Sequence, residues 1–186
     1  MKKLNTLLSI TVLLALSTSL LSCDNNSNAQ QTGTELSATY SGSFITASIN
    51  TDTNDDGRPS SFRTYEGTSN VGLITLTIVD EFAQPIPPVN CPTDNLEFDL
   101  VSGSFVIRLE NGDLLLGNIN SGFSCFDPVA RLSEIKEVGE ITEGTGTFSG
   151  AVGSIEFNTN SIFLNTTAIN GFTSGGSTGT ISATIE

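Results

Sequence analysis

The sequence predicts an all-β domain, folded as a sandwich or closed as a barrel. Three observations lead there. From Leu36 onward, apolar residues recur at alternate positions in most segments, the period of a strand with one buried face. The segments are short and end in clusters of Gly, Pro, Asn, Asp and Ser, which are turn signals. About eight such segments follow one another with no convincing helix between them, the pattern of antiparallel sandwiches and barrels.

The elements follow in order. "LSATYSGSFITASIN" (36–50) sets Tyr40 and Phe44 among small and polar residues and reads as a first strand. "SFRTYEG" (61–67) and "VGLITLTIVD" (71–80) come next; in the latter, Ile74, Leu76 and Ile78 share one face and Thr75 and Thr77 the other. "EFAQPIPPVNCPTDN" (81–95) is a loop, because proline cannot donate to a sheet ladder. "GSFVIRLENGDLLLGNIN" (103–120) is a hairpin with Phe105, Ile107 and Leu109 on one face and Asn111-Gly112 as its two-residue turn. "RLSEIKEVGEI" (131–141) is the one helix-like stretch, but its short length and Gly139 predict a loop or a single turn. "GTGTFSGAVGSIEFNTNSIFLN" (144–165) and "STGTISATIE" (177–186) supply the last strands.

The N-terminus reads as targeting rather than as fold. Met1-Lys2-Lys3 is basic, Leu4 to Leu21 is mostly apolar, and "LLSC" (20–23) follows. This order is that of a secretory signal. It resembles the bacterial lipoprotein signal, which implies cleavage before Cys23 and a lipid on that cysteine. Ser and Thr interrupt the apolar run, which argues against a retained membrane-spanning helix. The polar stretch after Cys23 has no apolar periodicity and reads as a flexible tether. The expected organisation is a signal peptide over 1–22, a tether over 23–35 and one β domain over 36–186. The expected address is a bacterial cell envelope, with the membrane engaged through Cys23 and neither inner nor outer membrane specified.

The formal net charge is −13, and loss of Lys2 and Lys3 with the signal makes it two units more negative. Such a surface repels nucleic acid and anionic headgroups, so nucleic-acid binding is not expected. Cys91 and Cys125 remain after Cys23. In an exported protein they either form one disulfide or stay as buried thiols.

Histidine is absent, which removes Ser-His-Asp and Cys-His catalysis. "GGSTG" (175–179) matches the spacing of a nucleophile elbow but leads into a strand, not a helix. Asp94, Glu97 and Asp99, and Glu134, Glu137, Glu140 and Glu143, read as a solvated acidic surface. Arg63, Arg108, Tyr40 and Tyr65 lie on expected strands, where they either orient a ligand inside or snorkel outward. Asp52, Asn54 and Asp56 in "DTNDDG" supply the oxygens of positions 1, 3 and 5 of a calcium loop, and Gly57 its turn glycine. Arg63 occupies the place of the bidentate glutamate, so this is half of a calcium loop or a polar turn with Gly57 at positive φ. Calcium is the one cofactor this pattern suggests.

"GTGTFSGAVGSIEF" (144–157) resembles a stretch of the allene oxide cyclase and dirigent proteins, and is similar to the "GTGxFxGAxGS" of their bacterial secreted relatives. The matched residues are Gly144, Gly146, Phe148, Gly150, Ala151, Gly153 and Ser154. Asp56-Gly57, "EGTSNVG" (66–72) and the closing "GSTGTISATIE" are similar to other parts of those relatives. The resemblance implies an eight-stranded antiparallel barrel with these glycines at a strand crossing, and a lumen able to hold an apolar small molecule. No catalytic residue of the plant proteins carries over to a matched position. The functional expectation is therefore a lipid-anchored exported barrel that binds a small apolar ligand or an envelope partner without catalysis. An isomerase or cyclase working inside the barrel, and a structural or adhesive surface protein, are the alternatives.

Overall fold

Eight antiparallel strands close into one barrel in sequence order in the computed structural model, which describes residues 34–46, 57, 60–164 and 173–186. They are β1 (Thr34–Thr46), β2 (Ser61–Ser69), β3 (Gly72–Phe82), β4 (Leu96–Leu109), β5 (Leu114–Asp127), β6 (Leu132–Gly144), β7 (Gly153–Phe163) and β8 (Thr173–Ile185). β1 pairs with β8 from Thr34↔Ile185 to Thr46↔Thr173, so no edge is left unpaired and the sandwich alternative falls away. Apolar side chains point in and mostly polar ones point out. On β3, Ile74, Leu76 and Ile78 are buried and Thr75 and Thr77 lie on the other face. That is the reverse of a barrel whose outer wall faces lipid.

The two ends of the barrel differ. One carries the tight β2–β3 and β4–β5 hairpins and the β6–β7 link, residues 145–152. We call it the hairpin end. The other, where β1 and β7 end and β2 and β8 begin, carries the connections 83–95 and 128–131 and is the loop end. The hairpin half of the lumen is filled by the protein's own side chains. Leu36, Ile74, Leu76, Ile107, Leu115, Ile155, Ile181 and Ile185 are all buried there in one cluster. Phe105 and Phe157 meet edge to face with centroids 5.2 Å apart in the same cluster. Each such side chain contributes about 1.5–3 kcal/mol by leaving water. Phe148, from a 3₁₀ turn at Gly146–Phe148, and Ala151 are buried in this cluster and plug the hairpin end. Gly146 makes that turn with φ +58.

Aromatic rings lie on glycines of the neighbouring strand. Phe105 pairs with Gly117 across β4–β5, Tyr40 with Gly179 and Phe44 with Gly175 across β1–β8. A Cβ on Gly117 would sit 2.6 Å from the Phe105 ring, and one on Gly175 2.7 Å from the Phe44 ring. The glycines thus make room for the rings, and the rings cover the bare backbone.

Two expectations are corrected. Residues 131–141 are not a loop or single turn: Leu132–Gly144 is the full strand β6, paired on both sides. Its buried face is Ser133, Ile135, Glu137, Gly139 and Ile141, so polar residues on the inward side concealed the two-residue period. The β4–β5 turn is longer than two residues. The Leu109 amide donates to the Asp113 carbonyl, at 2.9 Å, and encloses Glu110-Asn111-Gly112. Gly112 takes the positive φ (+93) that a three-residue hairpin loop requires.

Candidate functional site

The loop-end half of the lumen is polar, and its centre is Arg63. The Arg63 side chain leaves β2, is almost completely buried, and donates from Nη2 to Oε1 of Glu137 at 2.9 Å. β2 and β6 stand on opposite sides of an eight-stranded barrel, so this pair spans the lumen. Strand stagger makes the meeting possible. The pairings that lead from Glu137 through Phe157, Ile181 and Ala38 arrive at Ser69 on β2, not at Arg63. Strands of a closed barrel tilt, so positions out of register stand at one height. Arg63 also forms an ion pair with the buried Asp80 of β3, and Ser61 donates to Asp80 from the adjoining position.

Burial works against the Arg63 charge, but the Glu137 carboxylate and the neighbouring phenols hold the guanidinium protonated, with its pKa above the ordinary value. Tyr40 and Tyr65, the chain's two tyrosines, stand beside it with ring centroids 4.9 Å apart. Burial pushes the Tyr40 phenol well above its ordinary pKa, although its hydrogen bond with Thr159 pulls the other way. Ser161 with Ser177, and Ser124 with Ser133, share buried hydroxyl hydrogen bonds of 2.7 Å along the wall. Five buried atoms of this centre have no hydrogen-bond partner among the described residues: Arg63 Nε and Nη1, the Tyr65 hydroxyl, Glu137 Oε2, and Asp80 Oδ2, which is engaged by the Arg63 ion pair alone. Nearer the opening, Phe163 of β7 packs edge to face on Phe44 of β1 at 5.0 Å and on Phe126 of β5 at 5.3 Å. The result is an aromatic wall beside a charged, hydrogen-bonding floor.

The rim is tied down by Glu97 and a disulfide. Glu97 is buried and stands opposite Cys125 in the β4–β5 register. Its carboxylate accepts from the backbone N–H groups of Val89, Asn90 and Cys91 at 2.6, 2.7 and 3.2 Å, and from Asn90 Nδ2 at 2.6 Å. Burial opposes its ionisation, but these donors outweigh it and hold the pKa below the usual carboxylate range. The same contacts bring Cys91 to Cys125, and the two are joined by a disulfide with Cα atoms 5.4 Å apart. Of the two readings of these cysteines, the bridge holds and the free thiols do not.

The remaining candidates fall as follows. Arg63, Tyr40 and Tyr65 point inward, while Arg108 is exposed on the outer face. Glu97 and Glu137 leave the expected acidic surface and are buried for different reasons: Glu137 is in phase with the inward neighbours of β6, whereas Glu97 is covered by the 83–95 connection, whose backbone amides donate to it. Ser177 is a buried wall residue of β8. Gly144 lies against the Phe148 carbonyl, Gly150 and Gly153 have positive φ, and Ser154 pairs with Glu140 and Thr184. These motif residues therefore build the hairpin end, away from the polar centre. Gly57 has the expected positive φ, +84. Cys23, Asp52, Asn54 and Asp56 lie outside the described residues, and among the described residues no three acids, cysteines or histidines group to hold a metal.

Sequence reasoning missed Asp80 and Glu137 as site residues. The signal was phase: Asp80 continues the inward series Ile74, Leu76, Ile78, and Glu137 lies between Ile135 and Ile141 in the same parity. No protein-family model, curated protein or solved structure matches the chain.

Proposed function

We propose that this chain is a lipid-anchored, exported barrel that binds a small, largely apolar ligand at the loop end of its lumen, without catalysis. The observation that carries the reading is the division of the lumen. The hairpin half is filled by Leu, Ile and Phe, whereas the loop half pairs the Phe44–Phe126–Phe163 wall with a floor whose polar groups are only partly engaged. Small-molecule sites combine an apolar lining with a few such oriented polar groups. The Cys91–Cys125 disulfide supports export to an oxidising compartment, and "LLSC" supports anchoring through Cys23. The filled hairpin half favours the structural or adhesive reading as the second choice.

Titration of the full-length chain with phenylnaphthylamine, an uncharged apolar dye, tests the binding reading. We expect saturable fluorescence enhancement that Phe163→Asp abolishes. Absence of saturable enhancement would favour the structural protein. Labelling with an alkyne analogue of palmitate tests the anchor: Cys23→Ala should remove the label. Calcium at Asp52, Asn54 and Asp56 is part of the proposal as a rigidifier of the first connection, with affinity of about 0.1–1 mM, as in extracellular modules. Calorimetry with no heat at millimolar calcium would remove it.

A further inference from the structure

We infer that the ligand of this lumen carries an uncharged polar head that both accepts and donates hydrogen bonds, such as an amide or a hydroxylated group, and that Arg63, Tyr65 and Glu137 receive it. The inference rests on the loop-end binding reading and adds the chemistry of the head.

The unmet groups give its shape. Arg63 spends Nη2 on both Asp80 and Glu137, which leaves Nε–H and Nη1–H as donors without a protein acceptor. Glu137 uses Oε1 and leaves Oε2 as an acceptor without a donor. The Tyr65 hydroxyl has no partner and can serve either way. All three residues are almost completely buried. A folded protein rarely leaves so many buried polar atoms together unless something else meets them.

Charge then selects among heads. Arg63 already faces two carboxylates, Asp80 and Glu137. An anionic head would add a third negative charge around one positive charge in a desolvated site. A simple ammonium would offset the charge excess, but it has no acceptor to offer Arg63 Nε and Nη1. An uncharged head with a carbonyl or hydroxyl oxygen and an N–H or O–H meets the Arg63 donors and Glu137 Oε2 together. Tyr65 then orients it from the side where the Tyr40 ring closes the floor.

The chain offers its own reporter. It has two tyrosines and no tryptophan, and both tyrosines stand at this floor. Full-length protein carrying ¹³C-labelled tyrosine would be titrated with acetamide, acetate and ethylammonium, three probes of similar size and different charge. Acetamide should shift both ring signals saturably. Acetate and ethylammonium should bind more weakly by about tenfold or more, the scale of one charged group left without a partner. Tyr65→Phe removes a hydroxyl that no described residue uses, so it should fold normally and weaken acetamide binding several-fold, read at Tyr40. No saturable acetamide shift, an equal response to all three probes, or unchanged affinity in Tyr65→Phe would overturn the assignment and leave these groups to ordered water. Dye binding without acetamide binding removes the head alone; failure of both removes the loop-end site as well.

Discussion

Arg63 and Glu137 join strands on opposite walls of the barrel through a buried 2.9 Å hydrogen bond, 74 residues apart in sequence. The bond crosses the lumen and separates its filled half from its polar half. Removing one partner is costly, because buried charge is left behind. Arg63→Met strands both Asp80 and Glu137 and should destabilise the barrel by about 3–5 kcal/mol. Urea unfolding should show a lower midpoint at unchanged slope. Arg63→Met combined with Glu137→Met should recover part of the loss, since one stranded carboxylate is gone. A double variant that is worse by the sum of both changes would contradict the pairing.

Tyr40 should resist ionisation in the folded state. Burial raises its phenol pKa above the ordinary value of 10.0. Its folded pKa exceeds its unfolded one, so its contribution is complete below pH 10.0 and is lost as pH rises through the folded value. In Tyr65→Phe, where Tyr40 is the only tyrosine, phenolate absorbance should be absent at about pH 11 while the protein is folded, and appear with unfolding. Reversible phenolate formation without unfolding at that pH would contradict the burial.

Glu97 works in the opposite direction. Its pKa is depressed from 4.5, so its contribution is present above that value and is lost as pH falls through the lower folded one. Glu97→Gln should therefore be less stable than the native protein near neutrality, and the gap should narrow on acidification below pH 4.5. Thermal unfolding across that range measures it. Reduction of the disulfide should cost a further ~3–4 kcal/mol on the chain-entropy account of a loop of this size.

Gly117 should reject a side chain. A Cβ there runs into the Glu140 carbonyl and the Phe105 ring. Gly117→Ala should cost about 1–3 kcal/mol, the range for overpacking a core. Phe105→Leu in the same chain should recover some of that loss, because it withdraws the ring. Equal stability of Gly117→Ala and the native protein would show that the ring does not lie on the glycine.

Strands whose inward side is apolar were legible in the sequence. Ile74, Leu76 and Ile78, and Phe105, Ile107 and Leu109, are buried as their alternation predicts. β6 was not, because its inward side faces the polar half of the lumen. Ser133, Glu137 and Gly139 interrupt the apolar series, so Ile135 and Ile141 alone keep the phase. The Asn-Gly turn was visible but its length was not. That length is set by Asn111 accepting from the Asp113 amide and by the Asp113 side chain accepting from Thr147, a contact with the distant β6–β7 link. Arg63 and Tyr65 were recognisable as candidates. The meeting of Arg63 with Glu137 was not, since it depends on barrel closure and strand stagger, which no local pattern encodes.

If the loop-end half of the lumen holds a small ligand, that ligand should travel with the protein. Native mass spectrometry of the full-length chain, purified gently from the cells that make it, is the direct test. We expect a discrete added mass that dissociates as an uncharged small molecule and is missing from Phe163→Asp. Spectra in which neither protein carries such a mass would overturn the loop-end site.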